Sequence, residues 1–153
     1  MEAIRVMDVY QSHGMAAASI PEDMPLANVV SRFALEPNLR AIFLVDSNER
    51  FTHMLSRFDL LKWAHLQLFR GEGIREIKVT DFVRIAEAKK VKSLARRDEH
   101  SFHIKVSDTL RTALNRMIEY QEDIIPVLDD DGRVLGDLKL SEVLLKTLEM
   151  CRY

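Results

Sequence analysis

Cysteine, proline, glycine and long apolar runs are all scarce in this sequence. One cysteine, four prolines and five glycines occur among 153 residues. The single Cys151 cannot form a disulfide within the chain, which favours a reducing compartment. The apolar runs, such as Ala41 to Val45, are far shorter than the ~20 residues that span a bilayer, and no signal-peptide pattern follows Met1. We therefore expect a cytoplasmic globular protein that is not inserted in a membrane.

An excess of charge of one sign is also lacking. The chain has 22 basic and 24 acidic residues, a formal net charge of −2, and 47% hydrophobic residues. Nucleic-acid-binding domains usually carry a clear excess of positive charge, so we expect no nucleic-acid partner. The apolar share is that of an ordinary globular protein, which excludes intrinsic disorder and collagen-like chains.

Two parts of the chain repeat one pattern. The segment 45–51 aligns with 128–134 at an offset of 83 residues, and the same offset places Asp59 on Glu142. Further upstream the offset is 84, with Ile20 on Ile104, and a weaker similarity at offset 85 relates 6–9 to 91–94. Single-residue drift at predicted loops is what a duplicated unit would leave, and internal repeats of this kind define the architecture.

Each repeat predicts the same elements in the same order. Apolar residues at helical spacing, beginning at Leu26 in one repeat and at Leu110 in the other, predict one amphipathic helix in each. The continuous apolar runs 41–45 and 124–128 predict strands covered on both faces. Pro126 removes a backbone donor, so it predicts a strand at an edge or open toward a ligand.

The duplicated unit resembles the cystathionine-β-synthase (CBS) domain, which occurs in tandem pairs called Bateman modules. The stretches 19–26 and 104–110 are similar to the family's strand-to-helix entry. The stretch 123–136 is very close to its central hairpin, and 56–61 matches its closing motif, a Ser or Thr followed three residues later by Asp. Two copies in the correct order make the resemblance much stronger than either copy alone.

The resemblance implies a mixed α/β (α+β) fold of two β-α-β-β-α repeats related by a pseudo-twofold axis. We assign residues 1–70 to the first CBS repeat with an N-terminal segment, 71–90 to a connecting segment and 91–153 to the second repeat. The resemblance also implies two clefts that often hold adenosine-containing ligands, pairing into disc-like homodimers, and regulation of a partner protein instead of catalysis.

The first candidate site centres on Ser56 and Asp59, which lie three residues apart at a strand-to-helix junction. A carboxylate suits a ribose diol, the helix N-terminus favours phosphate, and Arg57 can bind phosphate oxygens with two donors. The adenine would lie between the segment at Ser19 and Ile20 and the strand at Ala41 and Phe43. The alternative is that Ser56 and Asp59 only cap the helix, a role both residue types favour.

The second repeat departs from the family pattern. Lys139 takes the place of the hydroxyl and Glu142 the place of the aspartate. Lys139 cannot accept a hydrogen bond; it would either neutralise phosphate or pair with Glu142, with Asp137 near enough to hold it. We expect this site to be empty or altered. If it binds a ligand, His103, Lys105, Ile125 and Pro126 should line it.

The sequence thus predicts a regulatory module that binds AMP, ADP, ATP, NAD or S-adenosylmethionine, with no resident cofactor or metal. The alternative is a ligand-free dimerisation or docking module, such as the cytoplasmic regulatory domain of a transporter or channel, with 6–15 and 60–69 at the interface. No enzyme motif such as a P-loop or G-x-S-x-G is present, and the acidic run 129–131 lacks the spacing of a calcium loop.

Overall fold

The structure, a computed structural model, describes residues 3–11, 16–70, 85, 87–95 and 102–151. The first repeat contains β1 (Ala17–Pro21), α1 (Leu26–Leu35), β2 (Ala41–Val45), β3 (Phe51–Ser56) and α2 (Arg57–Phe69). The second contains β4 (Ile104–Lys105), α3 (Leu110–Tyr120), β5 (Ile124–Leu128), β6 (Val134–Lys139) and α4 (Leu140–Cys151). Short 3-10 helices, Val6–Asp8 and Val91–Leu94, precede the two repeats.

The predicted mixed α/β fold of two β-α-β-β-α repeats is confirmed. Each repeat has its own three-stranded sheet, in the order β1-β2-β3 and β4-β5-β6, with the first pair parallel and the second antiparallel. The strands β2 and β5 start at positions 41 and 124, and β3 and β6 at 51 and 134, which reproduces the offset of 83. Most of the predicted connecting segment, 71–90, lies outside the described residues.

The first helix of each repeat covers its sheet with an apolar stripe. Leu26 and Val29 are buried in α1, and Leu110, Ala113 and Met117 in α3. Ser107 and Asp108 precede α3 and are residue types that favour helix caps, so the sequence alone predicts one of them as the cap, but neither is. The cap is Thr109, whose hydroxyl accepts from the backbone N–H of Thr112 at 3.2 Å, because the Asp108 carboxylate already accepts from the N–H of Lys105.

The strand that carries Pro126 is central, so the expectation of an edge strand is wrong. β5 lies between β4 and β6, and Pro126 pairs with Asp137 on the β6 side. On the other side β4 is only two residues long and pairs with Val127 and Leu128. β4 therefore does not pair with Pro126, and on that side the missing N–H leaves no ladder partner unsatisfied.

The turns of the two hairpins are built alike and meet each other. The Asp46 carboxylate accepts from the N–H groups of residues 48 and 50, and the Asp129 carboxylate accepts from those of 131 and 133. These carboxylates therefore shape turns. The N–H of Phe51 donates to the carbonyl of Gly132 at 2.8 Å, so the hairpins of the two repeats touch.

The 3-10 segments cross over between the repeats. The N–H of Val6 donates to the carbonyl of Asp108 at 2.9 Å, and the N–H of Leu110 donates to the carbonyl of Ile4 at 2.8 Å. The segment ahead of the first repeat therefore lies on the strand-to-helix junction of the second.

The segment ahead of the second repeat returns the same contacts. The N–H of Val91 donates to the carbonyl of Met24 at 3.1 Å, and the N–H of Leu26 donates to the carbonyl of Lys89 at 2.9 Å. A residue of one repeat contacts a residue of the other, and the equivalents of these two residues make the same contact in reverse. Such reciprocal contacts are typical of two units related by a twofold axis. The offset of 85 at 6–9 and 91–94 marks these crossing segments.

Exposed ion pairs add to the contact between the second crossing segment and the first repeat. Lys92 lies 2.9 Å and Lys90 3.7 Å from the Asp23 carboxylate. The hydrogen bond and charge of Lys92 lower the pKa of Asp23, and the same pair raises the pKa of Lys92. A carboxyl with a lowered pKa stabilises the fold at neutral pH, and this contribution is lost as the pH falls through that pKa. The effect is small because both side chains are largely solvated.

We predict that shortening the buried valine of either crossing segment destabilises both repeats. Val6 and Val91 are fully buried, so Val6→Ala and Val91→Ala should each lower the free energy of unfolding by about 1.5–3 kcal/mol. Urea denaturation measures this, with Met7→Ala as the matched control since Met7 is 53% exposed. Separate transitions for the two repeats in either variant would contradict reciprocal docking.

Candidate functional site

The N-terminus of α2 is closed by a capping box between Ser56 and Asp59. The Asp59 carboxylate accepts from the backbone N–H of Ser56 at 2.9 Å and from its hydroxyl at 3.1 Å, while the Ser56 hydroxyl accepts from the N–H of Asp59 at 3.4 Å. Both residues are buried, at 6% and 5% exposure. The helix-cap role weighed from the sequence is thus present in the structure, and a ligand-binding role for these two residues stays a prediction.

A cleft of about 320 Å³ opens beside this capped terminus. Ser56, Arg57 and Phe58 border it from the first repeat together with Arg40, which directly precedes β2. The opposite wall is the segment 120–123 of the second repeat, which connects α3 to β5. The guanidinium of Arg40 lies 3.3 Å from the Asp123 carboxylate, so one ion pair joins the two walls.

The structure brings together some of the predicted first-site residues. Ala41 pairs with Ser56 across β2 and β3, so Ala41, Ser56, Arg57 and Asp59 share one end of the sheet. Ser19 lies elsewhere. It pairs with Phe43 and lines a separate cavity of about 680 Å³ near the hairpin turns.

Two of the predicted apolar residues are core residues. Ile20 is 2% exposed and Phe43 is fully buried. Their side chains therefore pack inside the repeats, and only their backbone groups remain available for a flat heterocycle. Whether they contribute to a ligand site stays a prediction.

Sequence reasoning missed Arg40 and the 120–123 wall. The signal was present: Arg40 and Asp123 are equivalent positions at the offset of 83, and they carry opposite charges. Equivalent residues meet only near a twofold axis, so this pair marks where the two repeats come together.

At the second candidate site, Lys139 is enclosed by carboxylates. Its ammonium lies 2.6 Å from the Asp137 carboxylate and 3.4 Å from that of Glu142, and its side chain is only 14% exposed. The second Glu142 oxygen accepts from the backbone N–H of Gln11 at 2.7 Å. The structure therefore contains the pairing of Lys139 with Glu142 and Asp137, which was one of the two alternatives that the sequence suggested.

Asp137 also ties this site to the first repeat. It is fully buried, and its carboxylate accepts from the N–H groups of Ala16 and Ala17 at 2.9 and 3.3 Å. Ala17 starts β1 and pairs with Ala41. The acidic residue thus links the altered second site to the sheet end that borders the first cleft.

The other predicted second-site residues lie on the strands beside Lys139 and at the hairpin turn, and Pro126 pairs with Asp137. Ile125 and Pro126 are buried within the central strand. Lys105 lies 3.4 Å from Asp130 at the hairpin turn, and the His103 ring lies 6.4 Å from that of Phe51, between centroids. Within the predicted set, Lys139 and Glu142 form an ion pair, and a ligand role for the set remains a prediction.

The comparisons with known proteins identify the family. The model of the CBS domain matches residues 3–66 and 91–148, which is most of the chain. The chain belongs to the CBS domain family and contains two CBS domains in tandem. No curated protein matches the sequence.

Solved structures of CBS proteins share this fold. A CBS domain-containing protein from Thermotoga maritima is 22% identical, with a TM-score of 0.74 and 95% of each chain covered. CBSX2 in complex with AMP is 18% identical, with a TM-score of 0.68 and coverage of 96% of this chain and 98% of that one. The cytosolic domain of the Mg2+ channel MgtE in complex with ATP is 17% identical, with a TM-score of 0.60 and coverage of 86% and 45%.

One further observation concerns helices that could cross a membrane. Among the residues that the structure describes, no helix has both the length and the apolarity needed to cross a membrane.

We predict that removing one partner of Lys139 destabilises the protein more than removing the charges of Asp137 and Lys139 together. Asp137→Ala should lower the free energy of unfolding by about 3–5 kcal/mol, because it removes a buried partner of Lys139 and the acceptor of two backbone amides. The double variant Asp137→Met with Lys139→Ser installs the residues of the first repeat, Met54 and Ser56. It should recover much of that loss in urea denaturation. A double variant less stable than Asp137→Ala would contradict this account.

Proposed function

We propose that the protein is a regulatory CBS-pair module that binds an adenine nucleotide in the cleft between α2 and the 120–123 wall. The observation that carries the proposal is the pair of arginines, Arg40 and Arg57, on a cleft that both repeats border at the start of a helix. Nucleotide-bound relatives of the same fold support it, since CBSX2 is in complex with AMP.

The chemistry of the cleft suits a phosphate and a flat base. The N-terminus of α2 presents backbone donors and a partial positive charge, and each guanidinium can form paired hydrogen bonds with phosphate oxygens. Phe58 and Tyr120 border the same cleft, and aromatic rings there could flank a base. Ser56 would supply a hydroxyl.

Among the candidate ligands, charge favours those with phosphate. AMP, ADP, ATP and NAD bring negative charge to two guanidiniums, whereas the sulfonium of S-adenosylmethionine is repelled by them. The volume of about 320 Å³ is at the small end for ligand sites, which favours AMP over the larger NAD. We therefore rank AMP first.

Binding would act through the ion pair that joins the walls. A phosphate at Arg40 competes with the Asp123 carboxylate for the same guanidinium, so the bound state loosens or redirects the contact between the repeats. A ligand with unequal affinity for two arrangements shifts their populations. We propose that an effector protein, unidentified so far, detects that shift, and that the module itself does not catalyse.

A second feature supports homodimerisation. Apolar side chains on α2 and α4 face solvent, including Leu61 at 64%, Leu68 at 72%, Leu144 at 52% and Leu145 at 67% exposure. Leu61 and Leu144 are equivalent at the offset of 83, so both repeats offer the same kind of face. Groups of exposed apolar side chains often mark interfaces, and we propose that α2 and α4 pair with a second copy. Such pairing alone, without ligand, is the docking-module alternative.

Isothermal titration with AMP, ADP, ATP, NAD and S-adenosylmethionine tests the nucleotide proposal on protein shown to be ligand-free. We expect AMP to bind with a stoichiometry of one per chain, because Lys139 at the second site is already paired with Asp137 and Glu142. Arg57→Gln should weaken AMP binding by about 1.5–3 kcal/mol, the range for a hydrogen bond to a charged group.

The matched control is Arg32→Gln. Arg32 lies on α1, pairs with Glu36 and is largely exposed, and it does not border the cleft. It should leave AMP binding unchanged. Absence of heat with all five compounds, combined with a stable dimer in sedimentation, would favour the ligand-free docking alternative instead.

A further inference from the structure

The second repeat buries a charged pair where the first repeat has none. Asp137 is fully buried, and its carboxylate lies 2.6 Å from the Lys139 ammonium. At the offset of 83, the equivalent residues of the first repeat are Met54 and Ser56. Burying two charges costs free energy, and well-packed uncharged residues often stabilise a fold equally well or better. Stability alone therefore does not account for the pair of Asp137 and Lys139, so we examined what it holds.

On one side, Asp137 holds the backbone that leads to Arg40. The carboxylate of Asp137 accepts from the N–H of Ala16 at 2.9 Å, and the carbonyl of Ala16 accepts from the N–H of Arg40 at 2.8 Å. Ala17 reinforces this path, because its N–H donates to the same carboxylate oxygen at 3.3 Å and it pairs with Ala41, which follows Arg40. Two hydrogen bonds thus connect the buried carboxylate to the first wall of the nucleotide cleft.

On the other side, the strand that carries the buried pair holds Asp123. Lys139 pairs with Ile124 across β5 and β6, and the N–H of the next residue, Leu140, donates to the carbonyl of Asp123 at 2.9 Å. Asp123 is the wall residue whose carboxylate meets the guanidinium of Arg40 at 3.3 Å. The backbones of both ion-pair partners are therefore fixed by residues at or next to the buried pair.

We infer that Asp137 and Lys139 are positioning residues, which hold Arg40 and the 120–123 wall where they meet the phosphate of the nucleotide. This inference rests on the proposed nucleotide site. A guanidinium binds phosphate through directed hydrogen bonds, and binding groups need supporting residues that hold them within about 0.5 Å of the productive geometry. The charged residues by which the second repeat departs from the family motif thus support the cleft that contains Ser56 and Arg57.

Paired titrations with AMP and adenosine isolate the contribution of the phosphate. In Asp137→Asn the side chain has one acceptor oxygen, which cannot serve both the Lys139 ammonium and the two backbone amides. We expect the ratio of AMP affinity to adenosine affinity to fall by about two- to thirtyfold. The affinity for adenosine should stay nearly the same, because adenosine lacks the group that Arg40 contacts.

A double variant separates positioning from stability. Asp137→Met with Lys139→Ser installs the residues of the first repeat and should recover much of the free energy of unfolding, but it removes the carboxylate that holds Ala16. The affinity ratio should therefore stay low in this variant. The matched control is Asp129→Asn, since Asp129 also accepts from two backbone amides but does not border the cleft. It should leave the affinity ratio unchanged.

A double-mutant cycle tests whether the effect passes through Arg40. In the Arg40→Gln background, Asp137→Asn should lower the affinity ratio by less than it does in the unaltered protein, because the guanidinium that it positions is absent. Equal losses in the two backgrounds would overturn the inference.

The backbone amide resonances of Arg40 and Asp123 in the ligand-free protein provide a measurement that needs no nucleotide. Asp137→Asn should shift both resonances, and Asp129→Asn should shift neither. Unchanged resonances in Asp137→Asn, or an unchanged affinity ratio in a variant that still binds AMP, would overturn the inference and leave the proposed function standing. Absence of AMP binding to the unaltered protein would overturn the proposed function, and with it the role of Asp137 and Lys139 in phosphate binding.

Discussion

The exchange of 3-10 segments between the two repeats is the constraint on which the rest of the structure depends. Each repeat is too small to bury a large core by itself. Val6 and Val91 are fully buried, and each belongs to a segment hydrogen-bonded to the opposite repeat. The two halves therefore share their cores and fold as one unit. The shared clefts exist because this exchange fixes the sheets relative to each other.

The twofold arrangement also explains why the two clefts differ. In the first cleft the equivalent residues Arg40 and Asp123 form an exposed ion pair, which a phosphate can replace at small cost. In the second, Lys139 is held by two carboxylates and is mostly buried. Drawing one partner away from a buried pair is far more costly. One duplicated fold thus provides a cleft joined by an exposed ion pair and a second site whose charges are buried and paired, and Asp137 ties that second site to the strand beside the first cleft.

The repeat architecture could be predicted from the sequence because hydrophobic period and offset are local signals. The aligned segments 45–51 and 128–134 predicted the two hairpins, and the first residues of the strands reproduce the offset between these segments. The cap of α3 and the place of Pro126 could not be predicted in this way, since they depend on which neighbour reaches a backbone group. Ser19 and Asp59 illustrate the limit at the site. Strand pairing carries Ser19 toward the hairpin turns, and the capping box occupies Asp59. Residue type and spacing allowed the capping role of Asp59 as one of two interpretations, whereas the position of Ser19 is visible in neither.

The central claim is that an adenine nucleotide binds between Arg40, Arg57 and the 120–123 wall. An amide NMR titration of the isotope-labelled protein with AMP tests it most directly. The account predicts saturable shifts centred on 40, 56–58 and 120–123, with little change around 137–142. Shifts centred on Lys139 and Glu142, or no saturable shift at all, would contradict it.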